Sequence, residues 1–328
     1  MVSRKDVAKE AGVSPTSVSY YINHSGYVSK LSAEKIQAAI DKLHYSPNQI
    51  AKSLKTKRSD QFVFLCNEIR NPFFAQLISG ATAAAYQQNY SILFSNVIDD
   101  EEYLRKLCSY QVSGVFLPSG RIRKSVVESI LKMGISIVML GDAVWETVPE
   151  EITTIRNAAE LVFPEIMKHL KEKGYRKLSF ISSAPDARRG DMDDKVRAFT
   201  QAAGQEQETE IYYNVTTTEE ADRFIRERWQ PSQFPEAILC ANDSIAQGVI
   251  YALTQRGIRV PQDVGVVGYD NTVVSKYYTP SITSVDFGAE HLGEIIIDML
   301  IRRVRGEAVE NLEIPPKVIA RASTNRIP

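Results

Sequence analysis

From residue 61 onward the chain repeats one pattern: a short apolar run, an amphipathic segment long enough for a helix, then another apolar run. The runs are FVFLC, SILFS, GVFL, ISIVML, LSFIS, AILCA and VGVVGYD. Strands that are apolar on both faces and separated by helix-length segments predict parallel sheets covered by helices, because a parallel crossover needs a helix and buries the strand on both sides. Roughly 270 residues exceed what one doubly wound sheet of this kind holds, so the pattern divides into two similar lobes. The first lobe takes the strands through ISIVML and the second those from LSFIS to VGVVGYD.

The first sixty residues follow another rule. Arg4 to Ala11 reads as a helix ended by Gly12, a residue suited to the left-handed position after a helix. Ser14-Pro15 supplies a capping side chain and a proline at the first helical position, starting a second helix that runs to about Asn23. Ser32 precedes AEKIQAAIDKLHY, in which Ile36, Ile40 and Leu43 share one helical face. Pro47 stops any continuation. Net charge separates the regions too: residues 1–60 hold ten Lys/Arg against five Asp/Glu, and the rest hold twenty-nine against thirty-five. The overall charge of −1 hides a basic head on an acidic body, the distribution of a phosphate-binding module or of a solvated face.

Cys66, Cys108 and Cys240 lie far apart inside apolar runs, which suits small buried hydrophobes in a reducing compartment. The opening MVSRKDVAKE is charged and helical, and no apolar stretch nears the length of a membrane span, so a cytoplasmic protein with no membrane partner is expected. No P-loop, GxGxxG, GxSxG, HExxH or paired-cysteine motif occurs. His24, His44, His169 and His291 do not cluster, and DARRGDMDDK lacks the spacing and closing glutamate of a calcium loop. These features point away from an enzyme, a metal site or a cofactor.

DVAKEAGVSPTSVSYYIN, residues 6–23, has the logic of a helix-turn-helix. Ala8 is small where helices must approach, Gly12 makes the turn, and Val18 and Tyr21 face back from the second helix. The start of that helix would then enter a major groove; the alternative is an ordinary helical hairpin.

The same segment resembles the lactose-repressor/galactose-repressor family of bacterial transcription regulators. The likeness continues through VSKLSAEKIQAAI, LHYSPNQIAKSLK, IRNPFFAQLISG, CANDSIAQGVIYAL, GIRVPQDVGVVGYDN and ARAST, and so spans nearly the whole chain. It implies an all-α helix-turn-helix head over 1–46, a hinge helix and linker over 47–60, and a periplasmic-binding-protein-like α/β core over 61–328. The core chain would cross three times between lobe 1 (about 61–155 and 287–316) and lobe 2 (about 156–286 and 317–328). The implied function is a sequence-specific repressor, a homodimer on a pseudo-palindromic operator, nucleoid-associated when bound and controlled by a small molecule.

Carried over by position, Pro15, Thr16 and Tyr20 would read bases, with Ser17, Asn23 and Ser29 as further DNA contacts. Thr16 offers a hydroxyl and a methyl to base edges, and Tyr20 a phenol. Many family members have arginine at the Tyr20 position, so a bidentate guanine contact is missing and the operator should differ there. PNQIAKSLKT resembles hinge helices that fold on DNA. Leu54 would wedge into the minor groove, Ala51 would let paired hinges approach, and Asn48, Lys52 and Lys55 would hold phosphates. The plainer roles are a linker residue packing on the core for Leu54 and solubility for the polar ones.

In two-lobed cores the ligand sits where strand C-terminal ends face each other. Phe73 or Phe74 would line that cleft, or else serve as core. Asn242 resembles a ligand contact, and Asp243 reads as a helix N-cap. Asp270 matches an acidic residue that accepts effector hydroxyls, which makes sugars plausible, although loop capping is the alternative. The family's cleft arginine falls at Lys195, an aspartate that often closes a lobe-1 strand is Gly141 with Asp142 beside it, and an aromatic platform falls near Thr217. Arg188, Arg189 and Lys195 would favour a sugar phosphate or other anion, or would form a solvated loop. The rival classes are a solute-binding protein of a transport system and an enzyme on a doubly wound scaffold.

Overall fold

The chain divides between Ser59 and Asp60 into two units. The computed structural model describes all residues except 1, 24, 47–58, 67–68, 98–99, 120–121, 142–144, 146, 187–192, 205–207, 231–233 and 327–328. The hinge residues Asn48, Ala51, Lys52, Leu54 and Lys55 therefore lie outside the described residues, as do Asp142, Arg188 and Arg189.

Three helices make up the described part of the first unit. In α1 (Arg4–Ala11) the Ser3 hydroxyl accepts from the Asp6 N–H while the Asp6 carboxylate accepts from the Ser3 N–H, so two end groups of the helix satisfy each other. Gly12 then turns the chain with φ at 65°. In α2 (Pro15–Asn23) the Ser14 hydroxyl accepts from the Ser17 N–H at 3.1 Å, and Pro15 sits where no helical amide is needed. The third helix, α3 (Lys30–Leu43), corrects the expected start after Ser32: Ser29 is the cap, accepting from the Ser32 N–H at 3.3 Å. Val7, Ala8, Ala11, Val18, Ile36 and Ala39 close the core between these helices. Half-buried Tyr21 donates its hydroxyl to Gln37 Oε1 at 2.8 Å, tying α2 to α3.

The second unit begins with β1 (Gln61–Leu65), α4 (Pro72–Gln87), β2 (Ser91–Ser95), α5 (Glu101–Cys108), β3 (Gly114–Leu117), α6 (Lys124–Lys132), β4 (Ser136–Leu140) and β5 (Ile152–Arg156). It continues with α7 (Ala159–Glu172), β6 (Leu178–Ile181), α8 (Asp194–Ala203), β7 (Thr209–Tyr212), α9 (Thr218–Arg228), β8 (Ala237–Cys240), α10 (Asp243–Gln255), β9 (Gly265–Val267) and α11 (Val273–Tyr277). The last elements are β10 (Ser284–Asp286), α12 (Ala289–Val304), β11 (Leu312–Glu313), β12 (Lys317–Ile319) and a 3-10 turn at Ala322–Thr324.

Two parallel sheets result. Lobe 1 carries the order β11-β5-β4-β3-β1-β2, and lobe 2 the order β7-β6-β8-β9. The seven apolar runs all appear as strands or strand centres. The sequence pattern did not reveal β5 (ITTIR), β7 (TEIY) or the short strands β10, β11 and β12.

The chain passes between lobes after β5, after β10 and after β11, where β10 and β12 pair antiparallel with Val285 opposite Val318. Although late in the sequence, α12 belongs to lobe 1, burying Leu292, Ile296, Ile297 and Leu300 against Phe62, Leu77 and Phe116. Glycines allow that approach from both sides. A β-carbon on Gly80 of α4 would stand 1.9 Å from the Glu290 carbonyl oxygen, and one on Gly293 of α12 would stand 2.1 Å from that of Leu77. Both helix backbones thus come closer than any side chain allows.

Candidate effector cleft and DNA-reading face

Parallel strands direct their carboxyl ends, and the loops that follow, to one edge of a sheet. Residues from that edge of both sheets meet around a cavity of about 220 Å³. Lobe 1 supplies Asn71, Phe73 and Phe74 after β1, Pro118 and Ser119 after β3, Leu140 and Gly141 at β4, and Ile155 and Arg156 at β5. Lobe 2 supplies Ser183 after β6, Asp193, Asp194 and Lys195 at the start of α8, Ala241 and Asn242 after β8, and Asp270 after β9. Asn157, Phe287 and Ile314 line it from the crossover region, and Leu292 from α12 of lobe 1.

Asp270 is the most constrained group there. Its residue is only 7% exposed, and its backbone takes φ at 100° with Asn271 following at 47°, conformations that L side chains rarely adopt. The carboxylate accepts from Asn71 Nδ2 at 3.3 Å across the cleft and stands 3.9 Å from Lys195 Nζ. Burial pushes its pKa up to about 7, against the opposite pull of the Lys195 ammonium. Lys195 itself donates to the Ala241 carbonyl at 2.7 Å and lies 3.7 Å from the centre of the Tyr269 ring. It is a point charge fixed on three sides, whereas an arginine would have offered a planar fork.

Phe73 and Phe74 both line the cleft and both pack in the lobe-1 core, their rings edge to face at 5.3 Å. The expected roles of Asn242 and Asp243 are reordered. Asn242 is the helix cap, its Oδ1 accepting from the Ile245 N–H at 2.8 Å, and it also lines the cleft. Asp243, read from the sequence as an N-cap, is instead almost wholly buried behind the cleft, accepting from Thr272 and Ser284. Thr217, near which the family's aromatic platform would fall, caps α9 in a reciprocal pair with Glu220 and is not among the described lining residues.

Several lining residues escaped the sequence reading. Arg156 is a cation among them, held by Glu160 at 2.5 Å and Glu313 at 3.1 Å. The rule that ligands meet strand ends would have found Arg156 and Asn157, had ITTIR been recognised as a strand. Asp194 is another. A β-carbon on Gly141, where the family resemblance implied an aspartate, would lie 3.8 Å from Asp194 Oδ2, so α8 brings a carboxylate to that neighbourhood. Among the described lining residues the acids Asp193, Asp194 and Asp270 outnumber the cations Arg156 and Lys195.

In the head, Pro15, Thr16, Tyr20 and Asn23 are exposed on α2, and Thr16, Tyr20 and Asn23 follow i, i+4, i+7 spacing along one face. Ser17 is half-buried, its hydroxyl 2.9 Å from that of Ser14, and Asn23 donates to the Ser19 hydroxyl at 3.1 Å. The Tyr20 ring leans on Gly26, where a β-carbon would come within 2.7 Å of it. Ser29, expected as a DNA contact, is exposed and engaged as the α3 cap.

A helix-turn-helix unit joined to a two-lobed binding core defines a ligand-responsive DNA-binding regulator. Residues 4–48 match the model of the bacterial regulatory proteins of the lacI family, and residues 167–324 match a periplasmic binding protein-like domain. The chain is 28% identical to the HTH-type transcriptional repressor PurR of Photobacterium profundum, with 98% of each chain covered. It is 29% identical to the PurR of Erwinia tasmaniensis, with 98% of this chain and 97% of the relative covered. Among solved structures, a lac repressor bound to ONPG in the repressed state is 25% identical, covers 98% of this chain and 99% of its own, and has a TM-score of 0.81. A CelR–cellobiose complex is 25% identical over 98% of this chain and 100% of its own, with a TM-score of 0.70. The chain belongs to the lacI family of bacterial regulatory proteins.

Proposed function

We propose that this regulator is a transcriptional repressor whose effector is a small, neutral, hydroxyl-rich molecule of the sugar class. The observation that carries the reading is Asp270, a buried carboxylate at the cleft edge that offers two acceptor oxygens to hydroxyl donors. The acid surplus among the described lining residues disfavours a phosphate, while Phe73, Phe74, Leu140 and Leu292 suit the apolar face of a sugar ring. Asn71, Lys195 and Asn242 would orient the hydroxyls around it. A similar solved structure is consistent in kind, since it is a CelR–cellobiose complex.

On DNA the protein works as a homodimer at a pseudo-palindromic operator, with Pro15, Thr16 and Tyr20 toward base edges and Ser17, Asn23 and Ser29 toward the backbone. Leu54 would enter the minor groove, with Ala51 at the hinge pairing and Asn48, Lys52 and Lys55 on phosphates. The relatives are named as transcriptional repressors, and the site is read as binding rather than converting its ligand. A ligand shifts operator occupancy only through its differential affinity for two lobe arrangements, and bridging Asn71 of lobe 1 with Asp270 of lobe 2 would supply that difference.

Thermal-shift screening with neutral mono- and disaccharides beside their phosphates, followed by gel retardation on the DNA upstream of the gene, tests the reading. A neutral sugar should raise the melting temperature and change operator retention. Stabilisation by phosphorylated sugars alone would overturn the effector class, and retention no better than on random DNA would overturn the repressor.

A further inference from the structure

The turn that carries Asp270 is held from behind by groups that do not line the cleft. The Asp243 carboxylate accepts from the Thr272 N–H at 2.7 Å, the Thr272 hydroxyl at 3.0 Å and the Ser284 hydroxyl at 2.6 Å. The Ser284 oxygen in turn accepts from the Asn271 N–H at 3.0 Å, so one hydroxyl joins Asp243 to the strained pair. Gly268 leaves room for this carboxylate, since a β-carbon there would lie 2.2 Å from Asp243 Oδ1.

The ARAST segment closes the other side. Arg321 donates to Asn271 Oδ1 at 2.5 Å, to the Ile282 carbonyl at 2.7 Å and to the Ser275 hydroxyl at 3.1 Å. Ser323 donates to the Val266 carbonyl of β9, and Thr324 shares a 2.6 Å hydrogen bond with Thr283. Left-handed φ at two consecutive non-glycine residues costs free energy, and it persists only where the surroundings over-determine it. Here those surroundings are Asp243, Ser284 and Arg321.

We propose that Asp243 and Arg321 are positioning residues for effector recognition: they hold the Asp270–Asn271 turn in its left-handed conformation and so aim the Asp270 carboxylate into the cleft. The proposal rests on the reading of Asp270 as the effector's acceptor. It gives the C-terminal ARAST segment a role in ligand binding without contact to the ligand. The charged groups acting on Asp270 are Lys195 from α8 and Asp243 from α10, with the Asn71 amide facing it from lobe 1.

The test uses the full-length protein without ligand, labelled at the aspartate carboxyl carbons, with the Asp270 signal assigned by its loss in Asp270→Asn. Asp243→Asn keeps an acceptor but removes the charge; it should move the Asp270 titration midpoint to lower pH. Arg321→Lys keeps the charge but removes the fork, and it should speed amide exchange at Asn271 relative to Leu239 and Val267 in the neighbouring strands. Ser284→Ala, the mildest change, should raise Asn271 exchange by roughly tenfold. Should Asp243→Asn fail to fold, Ser284→Ala and Arg321→Lys still decide the matter. Unchanged titration and unchanged exchange in the folded variants would overturn the positioning role. Separately, an Asp270→Asn protein whose melting temperature responds to the neutral-sugar panel as wild type does would overturn the effector reading and leave the turn measurements standing.

Discussion

Lobe 1 meets the cleft mainly with Phe73, Phe74, Leu140, Ile155 and Leu292, while lobe 2 meets it with Asp193, Lys195, Asn242 and Asp270. One wall is apolar and continuous with a hydrophobic core; the other is polar and fastened into hydrogen-bond networks. A ligand that touched only the first would gain burial without orientation. Touching only the second would leave buried polar groups competing with water. The division teaches that full affinity requires both walls at once, which is how a binding event becomes a change in lobe arrangement.

The largest effect expected is on the apolar wall. Phe73→Ala should lower unfolding stability by about 3 kcal/mol, because a buried aromatic is replaced by a cavity in the lobe-1 core. Urea denaturation reads it directly, and a loss below about 1 kcal/mol would show that this wall is ligand surface rather than core. On the polar wall, Asp270→Asn should cost effector affinity about 2 kcal/mol, the worth of hydrogen bonds to a charged group, with little loss of fold. Calorimetric titration with whichever sugar the screen selects measures it, and equal affinity would erase the contrast between the walls.

Acidity sharpens the comparison further, because binding and stability should respond with opposite signs. Asp270 has a folded-state pKa of about 7 against an ordinary 3.8, so the folded chain binds the proton more tightly than the unfolded one. Its contribution to stability is therefore present at low pH and is lost as pH rises from about 4 to about 7. Hydroxyl recognition needs the ionised carboxylate, so affinity should fall by about tenfold between pH 8 and pH 6 and be flat in Asp270→Asn. The smallest effect expected is at Arg156, the cation on the apolar side. Its partners Glu160 and Glu313 are half exposed, so Arg156→Ala should change stability by no more than about 1 kcal/mol and leave neutral-sugar affinity unchanged. A large loss of affinity would move a polar determinant onto lobe 1.

Particular residues show how much of this was legible beforehand. FVFLC and AILCA announce themselves because buried parallel strands are apolar on both faces. ITTIR does not, since Thr153 is buried in mid-strand where a polar residue breaks the apolar run. Missing that strand hid Arg156, whose place in the cleft follows only from the strand's end. Asp270 was legible from its place at the close of VGVVGYD. The exchange of roles between Asn242 and Asp243 was not, because either side chain caps a helix equally well in isolation. Partners 29 and 41 residues further along decide which one is drawn inward. Gly12, Pro15 and Val18 were readable in the head because turn, cap and core there are set by neighbours in sequence.

The route of the chain through the core bears on how the protein is made. Lobe 1 holds the earliest strands of the core, yet its last sheet position is filled by Leu312 and Glu313 and one of its helices starts at Ala289. While a ribosome is still synthesising the molecule, β1 to β5 can associate, but the α4 face awaiting α12 stays open until Ala289–Val304 emerges. Lobe 2 has its four-stranded sheet in hand by Val267. Lobe 1, begun first, thus waits until Leu312 for its last strand, and its apolar face at Leu77, Gly80 and Ala81 stays uncovered until Gly293 arrives.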